Sequence, residues 1–126
     1  MARILLIDDD QQLLQLMEIT LKKAQHKVTA VSNGKLGLTQ LAQYEFDLVI
    51  TDIIMPEKDG IEVIIAMSRM EKRPALLAIS GGSQRLDAIQ LLKTAKVMKV
   101  DMVLAKPITP SGLLEAVETL LLNNAT

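Results

Sequence analysis

The chain has 126 residues, of which 49% are hydrophobic, a formal net charge of −1 and no cysteine. We therefore expect a single domain over residues 1–126 with a core of its own, and the hydrophobic content excludes a disordered chain. The nearly neutral charge argues against nucleic-acid binding. The lack of cysteine excludes thiolate metal sites, and no apolar run approaches the ~20 residues of a membrane span.

Strand and helix patterns alternate five times along the chain. In chain order, apolar periodicity predicts a strand over 2–7, a helix over 11–24, a strand over 28–32, a helix over 35–43, a strand over 47–51, a helix over 60–71, a strand over 75–80, a helix over 84–98, a strand over 101–105 and a helix over 110–122. The central strands are continuous apolar runs, which is typical of burial on both faces of a parallel sheet. Right-handed crossovers then give a doubly wound, five-stranded α/β sandwich, a (βα)5 fold whose strand order periodicity leaves open.

Side chains with acidic, hydroxyl or amine groups close or directly follow four of the predicted strands. They are Asp8, Asp9, Asp52, Ser80 and Lys106. The carboxyl ends of parallel strands meet at one edge of the sheet, where open α/β folds place their ligand sites. Three carboxylates, a hydroxyl and a lysine gathered there predict a site for a divalent metal and a phosphate.

The three carboxylates predict a bound cation. Two carboxylates ~4 Å apart repel by about 4 kcal/mol at an effective dielectric constant near 20, so a third would require a neutralising charge. Oxygen ligands without a nearby histidine or cysteine favour Mg²⁺, Mn²⁺ or Ca²⁺ over zinc. Asp10 stands one residue before a predicted helix and is expected to cap it. Asp52, beside the metal, could act as a nucleophile and form an aspartyl phosphate.

Lys106 and Ser80 each have an ordinary alternative interpretation. A lysine at a strand end is commonly a solvated charge, and a serine beside two glycines is commonly a turn residue. On separate strand ends they fit phosphate capture better together. Lys106 would pair with Asp52 in the empty pocket and with phosphate oxygens in the filled one. His26 lies in a polar stretch and is expected to be exposed.

Four segments carry a resemblance to a known family: ILLIDDD at 4–10, DLVITDIIMP at 47–56 with Asp59-Gly60, ISG at 79–81 and LAKP at 104–107. On these segments the chain resembles the receiver domain of bacterial two-component response regulators, similar to the stand-alone chemotaxis (CheY-like) type. The resemblance covers essentially the whole chain. It implies a flavodoxin-like sheet with the strand order 2-1-3-4-5.

The resemblance implies a metal-dependent phosphoacceptor. Asp52 would accept the phosphoryl group. Mg²⁺, or Mn²⁺ in its place, would be ligated directly by Asp9 and through water by Asp8. A carboxylate oxygen of Asp52 and the backbone carbonyl of Ile54 would complete the protein ligands.

The resemblance also implies how the phosphoryl group is held. Lys106 and Ser80 would bind its oxygens, and the backbone N–H of Gly81 would be drawn towards them. The Lys106-Pro107 peptide bond would be cis. The domain would be a signalling module rather than an enzyme, although it promotes its own phosphorylation and dephosphorylation.

The partners that the resemblance implies are proteins. A sensor histidine kinase or a phosphotransfer protein would donate the phosphoryl group, and an output partner would bind the face formed by the fourth helix, fifth strand and last helix. The last helix carries a wide apolar stripe, so a homodimer is a further expectation. The first predicted strand begins at Ala2, so no signal peptide and a cytoplasmic location are expected. The chain would be a stand-alone regulator or a receiver excised from a longer protein.

Two features depart from the family pattern. Receivers commonly carry tyrosine or phenylalanine three residues before the lysine, and this chain has Val103 there. Lys106 also follows Ser80 by 26 positions, which is longer than usual by roughly one helical turn. The surplus lies between residues 81 and 100, a region that serves many receivers as an output surface.

Three other readings compete with a receiver. Haloacid-dehalogenase-like phosphatases also place an Asp-x-Asp after a first strand, which Asp8 to Asp10 satisfy, but Gln11 and Gln12 do not continue their motif. In a flavodoxin-like FMN carrier, acids after the first strand would repel the cofactor phosphate. A pseudo-receiver that never accepts phosphate should lack an acid, the serine or the lysine, and none is missing here.

Overall fold

The computed structural model describes residues 2–52, 59–80 and 100–124. Within these residues the strands are β1 (Arg3–Ile7), β2 (Lys27–Val31), β3 (Leu48–Asp52), β4 (Ala75–Ser80) and β5 (Met102–Ala105). The helices are α1 (Gln11–Lys23), α2 (Gly34–Gln43), α3 (Asp59–Ser68) and a C-terminal helix (Pro110–Asn124). None of these helices is long and apolar enough to cross a membrane. The predicted helix over 84–98 lies outside the described residues.

The strands form one parallel sheet in the order β2-β1-β3-β4-β5. This confirms the doubly wound α/β fold and the strand order that the family resemblance implied. The register aligns Ile7 with Thr51, Asp52 with Ile79, and Ser80 with Ala105. The carboxyl ends of the four strands that carry the polar residues therefore meet along one edge.

The central strands are apolar along their whole length because both faces of the sheet are covered. Alternate residues of β1 belong to two different core clusters, with Ile4 and Leu6 in one and Leu5 and Ile7 in the other. The first cluster also contains residues of α1 and the C-terminal helix, and the second contains residues of α3. Every residue of β3 and β4 is buried. A strand buried on both sides has no polar face, and its first polar positions come where it ends.

Helix α1 begins and ends with recognisable caps. The Asp10 side chain accepts hydrogen bonds from the backbone N–H groups of Gln12 at 3.1 Å and Leu13 at 3.2 Å, which confirms the predicted cap. At the other end, the N–H of Gln25 donates to the carbonyl of Lys22 and the N–H of His26 to that of Leu21. This pair of bonds is the Schellman arrangement, and it requires Gln25 to adopt a positive φ of 71°.

Two predictions about local structure were wrong. His26 is half-buried rather than exposed, because its Nδ1 accepts a hydrogen bond of 3.2 Å from the backbone N–H of Ala2. Partial burial correspondingly lowers the pKa of His26. Helix α3 ends at Ser68 rather than at residue 71, because the N–H groups of Arg69 and Met70 bond three residues back and tighten the last turn.

Candidate functional site

Four strand ends bring the predicted polar residues together. Asp8 directly follows β1, Asp52 ends β3, Ser80 ends β4 and Lys106 directly follows β5. Asp8, Asp52 and Ser80 are buried, with exposed fractions of 0%, 3% and 3%. Burial of polar groups costs free energy unless they are paired, so such a concentration indicates a site built for a ligand.

The acidic residues form a cluster that could hold a metal ion. One carboxylate oxygen each from Asp8, Asp9 and Asp52 lie within 4.8 Å of one another. Asp9 is exposed, whereas the other two are buried. The cluster is therefore open to solvent on one side and closed on the other. An all-oxygen donor set of this kind suits a hard divalent cation that keeps part of its water shell.

The Asp8 carboxylate has one satisfied oxygen and one unsatisfied oxygen. Its Oδ1 accepts a hydrogen bond of 2.9 Å from the backbone N–H of Asp10. Among the described residues, its buried Oδ2 has no hydrogen-bond partner. Burial raises the pKa of Asp8 to about 6, and the charge of Asp52 adds to this, although the Asp10 N–H lowers it. A buried carboxylate oxygen without a hydrogen-bond partner, inside a group of acids, is a ligand atom that a cation would satisfy.

Lys106 supplies positive charge to the same cluster. Its Nζ lies 3.2 Å from Oδ2 of Asp52 and 4.0 Å from Oδ2 of Asp8. Burial acts to lower the pKa of Lys106, but the Asp52 and Asp8 carboxylates outweigh burial and raise it. The ammonium group is therefore firmly protonated, and it pairs with Asp52 as the sequence predicted.

The backbone around Lys106 positions it beside Ser80. The Lys106 N–H donates a hydrogen bond of 3.0 Å to the carbonyl of Ser80, which continues the β4–β5 ladder by one residue. The Lys106-Pro107 peptide bond is cis, as the family resemblance implied. Ser80 and Lys106 thus leave adjacent strands at the same level. Ile54 and Gly81, the other two predicted site residues, lie outside the described residues.

The position commonly aromatic in receivers is filled by a small apolar side chain. Val103 is half-buried and packs against the second core cluster, the one that contains Ala78. A valine has a stiff χ1 angle and much less reach than a ring. The described part of the site therefore contains no aromatic side chain that could swing between two positions.

Sequence reasoning missed one contribution to the site, namely that of the Asp10 backbone. The Asp10 N–H fixes Oδ1 of Asp8, whereas the Asp10 side chain caps α1. The Asp-x-Asp spacing carries this signal, because an aspartate readily accepts a hydrogen bond from the N–H two residues later.

A groove lies at the opposite edge of the sheet. It has a volume of about 990 Å³, and its lining includes Ala2, Asp47 and Pro74, which precede β1, β3 and β4. These positions are at the amino ends of the strands. The groove is therefore separate from the acidic cluster, which occupies the carboxyl ends.

Comparisons with known proteins agree with this geometry. The family model for the response regulator receiver domain matches residues 4–118. The response regulator receiver protein CpdR of Brucella abortus is 31% identical over 122 residues, which cover 97% of this chain and 98% of CpdR. The transcription factor SKN7 of Saccharomyces cerevisiae is 31% identical over 110 residues, but these make up 17% of SKN7.

Solved structures show the same fold. The chemotaxis response regulator CheY4 of Vibrio cholerae has a TM-score of 0.83 and 26% identity, and the match covers 96% of this chain and 99% of that one. A CheY-like receiver domain protein of Methanospirillum hungatei has a TM-score of 0.85 at 22% identity, which supports the fold alone. Because the family model extends over residues 4–118 and the match to CpdR spans nearly all of both chains, this protein belongs to the response regulator receiver domains of two-component signalling.

Proposed function

We propose that this domain accepts a phosphoryl group on Asp52 in a Mg²⁺-dependent reaction and passes the signal on by changing shape. The observation that supports this most is the setting of Asp52, which is 3% exposed, belongs to the three-acid cluster and lies 3.2 Å from Lys106. A carboxylate held between a cation site and an ammonium group is suited to receive an anionic group. Each of the two positive charges offsets part of the charge that the transfer brings in.

The metal would be Mg²⁺, with Mn²⁺ as an alternative. Asp9 would bind it directly, Asp8 through water, and Asp52 through one carboxylate oxygen, joined by the backbone carbonyl of Ile54. The unsatisfied Oδ2 of Asp8 supports this donor set. When bound, the ion would neutralise charge on the phosphoryl oxygens during transfer.

The donor would be a phosphohistidine on a sensor histidine kinase or a phosphotransfer protein. An oxygen of Asp52 would attack phosphorus in line, so that the new O–P bond forms as the P–N bond to histidine breaks. Lys106 would exchange its contact with Asp52 Oδ2 for contacts with phosphoryl oxygens. Ser80 would donate its hydroxyl hydrogen to another of them, and the Gly81 N–H would contribute a further bond.

The signal would arise from the movement of Ser80 and the chain that follows it. The phosphorylated aspartate carries about −1.5 to −2 charges near neutral pH, so it attracts nearby donors. That pull would alter the surface formed by the segment after β4, by β5 and by the C-terminal helix, where an output partner would bind. With Val103 at the usual aromatic position, the change would depend on Ser80 rather than on a swinging ring.

The wider setting follows from the proposed role. The domain over residues 1–126 would work as a signalling module in the cytoplasm, and it would promote its own phosphorylation and hydrolysis without acting on another substrate. It would contact proteins rather than nucleic acid. A homodimer through the apolar edge of the C-terminal helix would be compatible with Leu122, which is 70% exposed.

The proposal is tested by labelling the purified chain with radioactive acetyl phosphate and Mg²⁺. Wild-type protein should acquire an acid-labile label, whereas Asp52→Asn should acquire none. Asp10→Asn is the matched control, because asparagine caps a helix about as well as aspartate and Asp10 is not among the proposed ligands. Persistence of the label in Asp52→Asn would exclude Asp52 as the acceptor.

A further inference from the structure

Helix α2 approaches the end of β1 unusually closely at Gly37. A Cβ atom built on Gly37 would lie far inside van der Waals contact of Cδ1 of Ile7 and 3.0 Å from its Cγ1. Gly37 is buried, so a side chain there could not turn towards solvent. The absence of a side chain at residue 37 is what allows the helix and the strand to touch.

The contact is made by the outer atoms of the Ile7 side chain, and the packing around both partners limits how far they can move. Ile7 is fully buried and belongs to the core cluster that contains Val49 and Ala78. Helix α2 is anchored at its start, because the Asn33 side chain accepts a 2.8 Å hydrogen bond from the Leu36 N–H and its carbonyl accepts one from Gly37. Close-packed interiors transmit such a strain to the neighbouring backbone.

The neighbouring backbone is that of Asp8. Ile7 is the last residue of β1, and the Asp8 N–H continues the ladder with a 3.2 Å hydrogen bond to the carbonyl of Val31. The Asp8 carboxylate is in turn tied to the chain by the Asp10 N–H. A displacement of the Ile7 backbone would therefore move the Asp8 carboxylate relative to Asp52, which stands on a different strand.

We propose that Gly37 is a positioning residue for the cation site, because the bare backbone of α2 at residue 37 sets the location of Ile7 and through it that of Asp8. The inference rests on the metal site of the proposed function. Mg²⁺ demands nearly ideal octahedral geometry, whereas Ca²⁺ accepts longer and more variable bonds. A shift of one carboxylate is therefore expected to weaken Mg²⁺ binding more than Ca²⁺ binding. General destabilisation of the fold would not produce that difference.

The test is calorimetric titration of the purified chain with MgCl₂ and, separately, with CaCl₂. Gly37→Ala should weaken Mg²⁺ binding by about tenfold, in the range found for residues that orient metal ligands, and weaken Ca²⁺ binding by a smaller factor. Adding Ile7→Val removes Cδ1, the closest contact, and should restore part but not all of the Mg²⁺ affinity, because the 3.0 Å contact with Cγ1 remains. Alanine is a better helix former than glycine, which favours retention of α2 in the variant.

The matched control is an enlarged core residue far from the acids. Ala75 is 2% exposed and begins β4, about 16 Å from Ser80 at the rise of a strand, so Ala75→Val crowds the core without touching the site. It should leave Mg²⁺ affinity unchanged. Wild-type Mg²⁺ affinity in Gly37→Ala, an equal loss for Ca²⁺, or an equal loss in Ala75→Val would each overturn the proposal.

Two further outcomes are also decisive. If Gly37→Ala alone does not fold, the Mg²⁺ affinities of Ile7→Val and of the double variant Gly37→Ala/Ile7→Val are compared instead. In the double variant the new Cβ atom still contacts Cγ1 at position 7, so a smaller strain remains. The double variant should then bind Mg²⁺ more weakly than Ile7→Val, and equal affinity would overturn the role of Gly37. Failure of the wild-type chain itself to bind Mg²⁺ would remove the metal site of the proposed function as well, whereas failure of the Gly37 comparison alone would leave that site intact.

Discussion

Nζ of Lys106 lies 3.2 Å from Oδ2 of Asp52 and 4.0 Å from Oδ2 of Asp8, so one ammonium group is shared between two buried carboxylates. The two carboxylates come from residues 44 positions apart in the chain, and the lysine follows another strand again. This arrangement stabilises the site when no cation is bound. It also places the lysine where it would repel a cation and attract a phosphoryl group.

Replacement of Lys106 should therefore separate metal binding from phosphorylation. Lys106→Met keeps much of the aliphatic stem and removes the charge. We expect Mg²⁺ to bind several-fold more tightly, because the competing positive charge is gone, and labelling by acetyl phosphate to slow by about 100-fold, a loss typical of removing a donor to developing charge. Titration calorimetry and label incorporation measure the two effects on the same sample.

Lys22→Met is the control for that experiment. Lys22 pairs with Glu18 on the surface of α1 at 2.9 Å, away from the acid cluster. Its removal should change neither Mg²⁺ affinity nor labelling. Weaker Mg²⁺ binding in Lys106→Met would contradict the view that Lys106 and the cation compete for the same carboxylates.

The raised pKa of Asp8 predicts a pH dependence of stability in the absence of metal. The ordinary value of 3.8 describes the unfolded chain, and the folded value is about 6. The folded chain therefore binds this proton more tightly, so the contribution of Asp8 to the free energy of unfolding is greatest at low pH and declines as pH rises from about 4 to about 6.

Asp8→Asn should remove the free-energy cost of burying a charged carboxylate at position 8. In EDTA at about pH 7.5 the variant should be more stable than the wild type by about 3 kcal/mol, and the difference should shrink towards pH 4. Urea unfolding across this pH range measures it. Adding Mg²⁺ should stabilise the wild type and leave the variant much less affected. A variant less stable than the wild type at neutral pH in EDTA would show that Asp8 is not strained by burial.

The cap of α1 predicts a change in stability without a change in Mg²⁺ binding. Asp10→Ala removes the acceptor for the N–H groups of Gln12 and Leu13 and should lower the free energy of unfolding by about 1 kcal/mol. Asp10→Asn should lower the free energy of unfolding by only a few tenths of a kcal/mol, because asparagine caps a helix about as well as aspartate. Mg²⁺ affinity should stay near the wild-type value in Asp10→Asn, since the backbone N–H that fixes Asp8 is unchanged.

The end of α1 predicts a stabilising substitution. Gln25 holds a left-handed conformation with φ of 71°, which costs an L-residue roughly 1 kcal/mol and costs glycine little. Gln25→Gly should therefore raise the free energy of unfolding by about 1 kcal/mol. Gln15→Gly, at an exposed position inside the same helix, should lower it by a similar amount. Chemical unfolding of both variants measures these changes in the free energy of unfolding. Destabilisation by Gln25→Gly would contradict the assigned cap.

The parts of the structure that were predictable from the sequence are those with local causes. The cap at Asp10 depends on a residue type one position before an apolar helix, and the strands depend on continuous apolar runs. Strand order could not be predicted from local sequence, because β1 has the same apolar character whichever strands flank it. The order was obtained from the resemblance to a family.

The remaining features depend on contacts between segments distant in sequence. His26 was expected to be exposed because its neighbours in sequence are polar, but it is partly buried by a hydrogen bond from Ala2, 24 residues away. The unsatisfied oxygen of Asp8 appears only once Asp10 has occupied the other oxygen. The contact between Gly37 and Ile7 joins a helix to a strand 30 residues earlier, and no pattern within either segment indicates it.

The site assignment is tested most directly by locating the phosphoryl group on the intact chain. The protein is treated with acetyl phosphate and Mg²⁺, the acyl phosphate is reduced with borohydride, and the modified residue is identified by peptide mass spectrometry. Reduction converts a phosphorylated aspartate to homoserine, and we expect that change at Asp52 and only when Mg²⁺ is present. Modification at Asp8, or equal modification of Asp52 in EDTA, would contradict a metal-assisted acceptor at the end of β3.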